Sequence, residues 1–486
     1  MRDGRPSQSS AVETRRYASP ALLGWVGVGL ALTLSVVVVA VRAGSDMTIL
    51  GDEWHYAYWM STDGALEQGF NPDKGRYAIP VPFVLYQGLF ELFGADSYVP
   101  FRAAMVLFLG LVTALAYELM RRRIGYLLAL PPAALIALFG SAGEVVVNSF
   151  RMPGMIALAA ALAAILALER RSRACDVAAG ALLIIAVASH PLGLAFVAAV
   201  AILRARSFLQ GENRLASLVV VGVPAVFFLA ILRPYTENDE SLASKLADVP
   251  EFLFEGLRGL FNALGGLFAG GLVPFESIEG PESALGLIAA VIVLGLVARA
   301  VWRRRWDSAF LLALLAAALI ILAAPVFAPG GRPANLGRYV FPAGVCMLLV
   351  VAELCRGLQG VLAKRSGAAL GIGAILLTIA GFSLVSNTIL LGDSADKFAK
   401  DSKYVRAQAA ALEAIRDENP LPDIKIERNR DLPGAKSRFS IKVAEYYTVS
   451  DAYGTTAWTP EELSEQGPTV RKAAMLSERI ALGELP

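Results

Sequence analysis

Stretch after stretch of this chain is apolar enough to cross a bilayer. A spanning helix needs about 20 predominantly apolar residues. Ala21–Val41 supplies the first such run, including Val36–Val39, behind a polar segment carrying Arg15 and Arg16. It is longer than the apolar core of a signal peptide, so it reads as an uncleaved anchor. Further apolar segments run over about 101–120, 125–140, 153–168, 177–189, 191–203, 215–232, 284–301, 308–327, 339–356 and 367–387. The sequence therefore predicts a mainly α, polytopic membrane bundle of about 11 spans. Charged residues make up 18% of the chain, against about 25% in soluble domains. A net charge of +2 carries no polybasic signal for nucleic acid.

Arginine-rich clusters fix the direction of the spans, because short cytoplasmic loops are enriched in Lys and Arg. The clusters are Arg15/Arg16, Arg121–Arg123, Arg170/Arg171/Arg173, Arg204/Arg206/Arg214, Arg303–Arg305 and Arg356/Lys364/Arg365. Eleven spans with residues 1–20 inside put all six on the cytoplasmic side. Two readings are needed for that. Ile79–Phe93, with Pro80, Pro82, Gln87 and Glu91, must be an interfacial helix rather than a span. Residues 177–203 must break at His190-Pro191 into two short spans. Phe252–Phe275 then reads as a second interfacial helix ending at Gly265, Gly266, Gly270 and Gly271.

This leaves 21–387 as the transmembrane domain, with outer loops at 42–100 and 233–283. Residues 388–486 hold 14 Lys+Arg and 16 Asp+Glu, about 30% charged, against about 14% before them. The shift predicts a small extracytoplasmic C-terminal α/β domain, helical over Leu412–Asp417 and a strand over Ser440–Val449. Cys175, Cys346 and Cys355 have no metal-ligand spacing and no outer partner.

The polar residues that the topology puts outside are the candidates for chemistry. Gly51-Asp52-Glu53-Trp54-His55-Tyr56 places two carboxylates, an imidazole and aromatic rings just past the first span. A carboxylate there, its pKa tuned by a neighbour, suits a general base; a solvated loop with interfacial aromatics is the plainer reading. Lys74, Arg76 and Tyr77 follow, then Glu144, Asn148 and Arg151, then His190, then Arg338-Tyr339. His190 also reads as a core histidine, and Arg338-Tyr339 as a snorkelling pair. Together, cations and carboxylates on one membrane face suit an anionic lipid phosphate.

The order of these residues resembles the GT-C class of polyprenyl-phosphate-sugar glycosyltransferases, in particular the protein O-mannosyltransferase and lipid A aminoarabinose transferase branches. The resemblance rests on Asp52-Glu53-Trp54-His55-Tyr56, on Pro80-Val81-Pro82 through Leu92-Phe93-Gly94, on Tyr98 through Arg102, on Tyr117 with the following arginines and Gly125, and on Arg338-Tyr339-Val340-Phe341-Pro342. His55 stands where the class usually has Arg, and its Lys-Pro-Pro is replaced by Ala78-Ile79-Pro80, leaving Lys74 or Arg76 to supply the charge. The resemblance implies an enzyme of the plasma membrane with an outward-facing site. A sugar, hexosyl or pentosyl, passes from a polyprenyl phosphate to a hydroxyl of a glycan, lipid or protein. Asp52 is the implied base, with Glu53 beside it. His55, Tyr56, Lys74, Arg76 and Arg338 are the implied phosphate site. Tyr77, Asn148, Arg151, His190 and Tyr339 are further candidate substrate contacts. A divalent metal is used in some branches and not in others, and no metal ligand is assigned. The rival readings are a flippase or transporter of a lipid-linked anion, and a lipid-linked oligosaccharide polymerase or ligase.

Overall fold

The computed structural model describes residues 19–484 except 63, 71–77, 171, 212–213, 233–248, 270–280, 303–307, 324–335, 357–359, 361, 363–366, 426–438 and 440. Its described residues form nineteen α-helices. These are α1 (Pro20–Ala43), α2 (Asp52–Thr62), α3 (Ala65–Phe70), α4 (Pro80–Phe93), α5 (Val99–Ile124), α6 (Leu130–Ala137), α7 (Gly143–Val147) and α8 (Met152–Leu168). Next come α9 (Arg173–Ser189), α10 (Gly193–Leu209), α11 (Arg214–Phe227), α12 (Val249–Ala269), α13 (Pro281–Trp302), α14 (Ser308–Ala323) and α15 (Gly337–Leu354). The last are α16 (Gly367–Ala414), α17 (Val443–Tyr453), α18 (Pro460–Ser464) and α19 (Pro468–Ala481).

Seven helical stretches among the described residues are long and apolar enough to span a bilayer, and three shorter ones are apolar. The chain is thus a polytopic helical membrane protein. The apolar segments read from the sequence fall largely on helices; of 125–140, only Leu130–Ala137 is α-helical. The outer helices show their lipid-facing side plainly. On α1, Leu22, Val26, Leu30, Leu34 and Val41 are exposed, while Gly24, Val28, Ala31, Ser35 and Val39 are buried. An apolar stripe turned outward is stable only against lipid. Within the candidate spans, 28% of the first is buried against 78% of α15, which places α15 at the centre.

Two polar poles close the bundle. At one, Arg122 and Arg123, ending α5, pair with Glu169 beyond α8 at 2.9 and 2.8 Å. Arg123 also pairs with Glu353 at the end of α15, 2.7 Å, and covers the Phe310 ring of α14. Taking two charges out of water is costly unless they meet each other, so these arginines lock four helix ends together. The chain does reverse at His190-Pro191. Asp176, in the first turn of α9, pairs with Arg204 near the end of α10, so the two helices are antiparallel. Helix α5 is about 39 Å long at 1.5 Å per residue, so Tyr98 at its start and Arg123 at its end stand a bilayer apart.

The segment after 388 differs from expectation. No strand occurs among its described residues; a single bridge, Lys425 to Lys442, is the nearest approach. The expected strand over Ser440–Val449 is instead helical from Val443. Val443, Tyr446 and Val449 are buried at three-residue spacing, so the same residues that alternate also make a helical stripe. Glu445 accepts the Lys442 N–H at 3.1 Å and starts that helix. The composition shift at 388 is not a break in the backbone either, because α16 runs through Asn387 as 48 continuous residues.

Exposed positions test the poles. In a background lacking the native cysteines, Ser45→Cys and Ser464→Cys are expected to react with an impermeant thiol reagent from one side of the membrane and Ser172→Cys only from the other. Labelling of all three from one side would break the arrangement.

Candidate functional site

Gly51, at φ +59°, turns the chain from the first span into α2, and the next two residues are the carboxylates. Both lie in the first turn, where the exposed N–H groups of a helix favour negative charge. The turn sends them in different directions. Asp52 is exposed; Glu53 is buried.

Glu53 is the centre of a buried hydrogen-bond network. Its Oε2 accepts the Leu50 N–H at 3.0 Å. Its Oε1 lies 2.5 Å from Ser149 Oγ, and the Tyr98 hydroxyl reaches both oxygens at 3.3 and 3.5 Å. Ser149 donates its N–H to Tyr98 Oη, and Tyr86 of α4 donates to the Ser149 carbonyl. Loss of water pushes the Glu53 carboxyl up to about 7; the hydrogen bonds from Ser149, Leu50 and Tyr98, and the charge of Arg151, pull the other way and lose. Arg102, on the first turn of α5, donates to the carbonyls of Val146 and Val147 and holds the same segment from the other side.

That segment carries a second cluster. Glu144 of α7 accepts the backbone N–H of Arg338 at 3.3 Å, capping α15 from outside, and meets Arg151 Nη2 at 3.6 Å. Gly337 permits this approach, since a Cβ there would fall 2.8 Å from Glu144 Cγ. The Arg338 guanidinium lies over the ring of buried Tyr339. His190, at the turn between α9 and α10, is the third member. Burial, then the charges of Arg338 and Arg151, hold its imidazole well below the usual histidine range. Its Nδ1 accepts the Leu192 N–H at 3.1 Å, so the proton of the neutral ring sits on Nε2, a donor.

Six of the sequence candidates thus come together: Glu53, Glu144, Arg151, His190, Arg338 and Tyr339. Others are placed differently. Asn148 is buried and its Oδ1 accepts the Phe150 N–H, capping a short turn. Tyr56 is buried among Phe83, Tyr86 and Phe150, at ring separations of 4.5, 5.7 and 5.1 Å. His55 stacks on Trp59 and faces Glu445 of α17. Lys74, Arg76 and Tyr77 lie outside the described residues. Ser149 and Tyr86 were not marked by the sequence, because a serine and a tyrosine in apolar surroundings carry no pattern. Among the described residues no group of three His, Cys, Asp or Glu side chains could hold a metal ion. The Asp52-Glu53 pair does not fit one either: the Glu53 oxygens are committed to Leu50, Ser149 and Tyr98.

No family model matches the chain, and no curated protein matches it. Solved structures do. The oligosaccharyltransferase of Archaeoglobus fulgidus, tethered to an acceptor peptide, aligns at 17% identity and TM-score 0.49 over 81% of this chain. The chain spans 58% of that protein's length. ArnT of Cupriavidus metallidurans aligns at 16% identity and TM-score 0.48 over 90% of this chain and 89% of its own. ArnT bound to undecaprenyl phosphate aligns at 16% identity and TM-score 0.45, over 94% and 88%.

Glu53 sets a pH dependence. Between about pH 4.5 and 7 the folded protein keeps a proton on Glu53 that the unfolded chain releases. Its contribution to stability therefore falls as pH rises through that window, by up to about 3 kcal/mol. Thermal unfolding in detergent is expected to show this fall in the wild type and a flatter profile in Glu53→Gln. Identical slopes would exclude it.

Proposed function

We propose that this protein transfers a sugar from a polyprenyl phosphate to an acceptor hydroxyl at the outer face of a plasma membrane. The observation that carries the reading is the meeting, at one pole of an apolar bundle, of the Asp52-Glu53 turn with Arg151, Arg338 and His190. An anionic headgroup with its tail in lipid needs cations at the bilayer edge, and guanidinium groups suit phosphate. The acidic pair at the same edge favours transfer over transport, since a transporter binds near the midplane.

In this reading Asp52, open to solvent at the start of α2, takes the proton of the acceptor hydroxyl. The oxygen attacks the anomeric carbon and the bond from that carbon to the phosphate oxygen breaks, with inversion. The electron pair leaves on the phosphate, so no strong general acid is required. Arg338, with Arg151 beside it and the His190 Nε2–H as a neutral donor, stabilises the charge that develops; His55 faces the same phosphate from α2. Glu53 does not touch substrate. It joins the first outer segment to the Glu144–Arg151 segment and so sets the distance between base and cations. The segment 388–486 forms the acceptor side.

Membranes bearing Asp52→Asn are expected to lose at least about 100-fold of transfer from a radiolabelled polyprenyl-phosphate sugar, the usual weight of a general base. Arg338→Ala is expected to raise the donor KM more than it lowers kcat. Full activity of Asp52→Asn would remove Asp52 as base.

A further inference from the structure

Asn387 is a fully buried amide in the middle of α16. Its distance from Gly367, at the start of that helix, is about 30 Å at 1.5 Å per residue. It therefore stands where α16 leaves the apolar layer, at the pole of Glu144 and Arg151. Both ends of the amide are used. Oδ1 accepts the Ser141 N–H at 3.1 Å and lies 3.1 Å from the Ser141 hydroxyl. Nδ2 donates toward the carbonyls of Ser383, Gly266 and Leu267, at 3.0, 3.1 and 3.4 Å. An N–H on one side and carbonyls on the other leave the amide one orientation. The Ser141 hydroxyl donates to the same Gly266 carbonyl at 2.8 Å and closes the knot.

The partners come from three distant parts of the chain. Gly266 and Leu267 lie in the last turn of α12, where carbonyls find no partner inside the helix. Ser141 opens the segment that continues into Glu144 and Arg151. That segment is pressed onto α16 with no room for side chains. A Cβ on Gly140 would collide with the Asn387 carbonyl oxygen, and one on Gly143 with Ser394, two turns further along α16. On its other side Phe139 packs against Phe341 of α15, ring centres 5.7 Å apart.

An amide at the edge of a bilayer is costly to bury unless each of its groups is paired. An apolar side chain would fill the same space. The amide adds register, because a satisfied buried network admits one arrangement of the elements it joins. We propose that Asn387 is a positioning residue of the donor site: with Ser141 it ties the end of α12 to the segment that carries Glu144 and Arg151, and so fixes where the two arginines stand for the phosphate. Glu144 transmits the position, since it accepts the Arg338 N–H and meets Arg151. The inference rests on the transferase reading above.

The test uses the full chain in detergent with the native cysteines replaced. Spin labels at Leu257→Cys on α12 and Ile389→Cys on α16, both exposed positions, are expected to give one narrow distance distribution. Ser141→Ala and Asn387→Leu are each expected to broaden or shift it, and the double variant to do no more than Asn387→Leu alone. In the transfer assay both are expected to raise the donor KM several-fold, more than they lower kcat. Asn387→Asp reads the amide itself. Its protonated acid donates toward the α12 carbonyls and accepts from Ser141, whereas its carboxylate only accepts. The donor KM, relative to wild type, is therefore expected to be near normal at low pH and to rise as the acid ionises. A distribution unchanged in Asn387→Leu, or one that broadens while the donor KM stays the same, would overturn the positioning role. A pH-independent KM ratio in Asn387→Asp would do so too. Should Asp52→Asn keep full transfer while the labels still respond, the transferase mechanism fails and the tether of α12 stands.

Discussion

The bilayer interior offers no partner to a charge or to a free backbone group, and everything else in this protein follows from that constraint. Helices are the one local answer, since each satisfies its own N–H and C=O groups. Charge is then driven to their ends. At one end it appears as arginines that meet glutamates across helices, Arg123 with Glu169 and Glu353. At the other end it appears as the Glu144, Arg151 and Arg338 cluster and the Asp52-Glu53 turn. The poles differ in kind. The first is closed by ion pairs, whereas the second keeps a carboxylate, Asp52, open to solvent.

Within the second pole, two adjacent carboxylates meet different surroundings because one residue of helix rotates their side chains apart. Glu53 turns inward to Ser149 and Tyr98 and gives up its water, and with it its low pKa. Asp52 turns outward. Here the inward group acts as a strut. It joins the segment after the first span to the segment that carries Arg151, and Arg102 braces that segment from α5.

The architecture was legible because hydrophobic run length and arginine clusters are one-dimensional signals. The apolar segments fall largely on helices, and the His190-Pro191 reversal could be read from the charges that had to lie on one side. The candidates that cluster, Glu53, Glu144, Arg151, His190 and Arg338, were legible as polar residues near span ends. What failed was read from local pattern alone. Ser440–Val449 alternates and also repeats every three residues, and the packing of Val443, Tyr446 and Val449 selects the helix. The composition shift near 388 falls inside one unbroken helix, α16, which no local composition signal announces.

The sequence by itself determined that the chain crosses a membrane many times, where its cations lie and which carboxylates stand at the opposite edge, since hydrophobicity and charge are properties of residues. Only the tertiary structure decided which carboxylate is buried and that Ser149, Tyr98 and Tyr86 hold it. Those are contacts between residues far apart in the chain, and no local pattern encodes a distance across the fold.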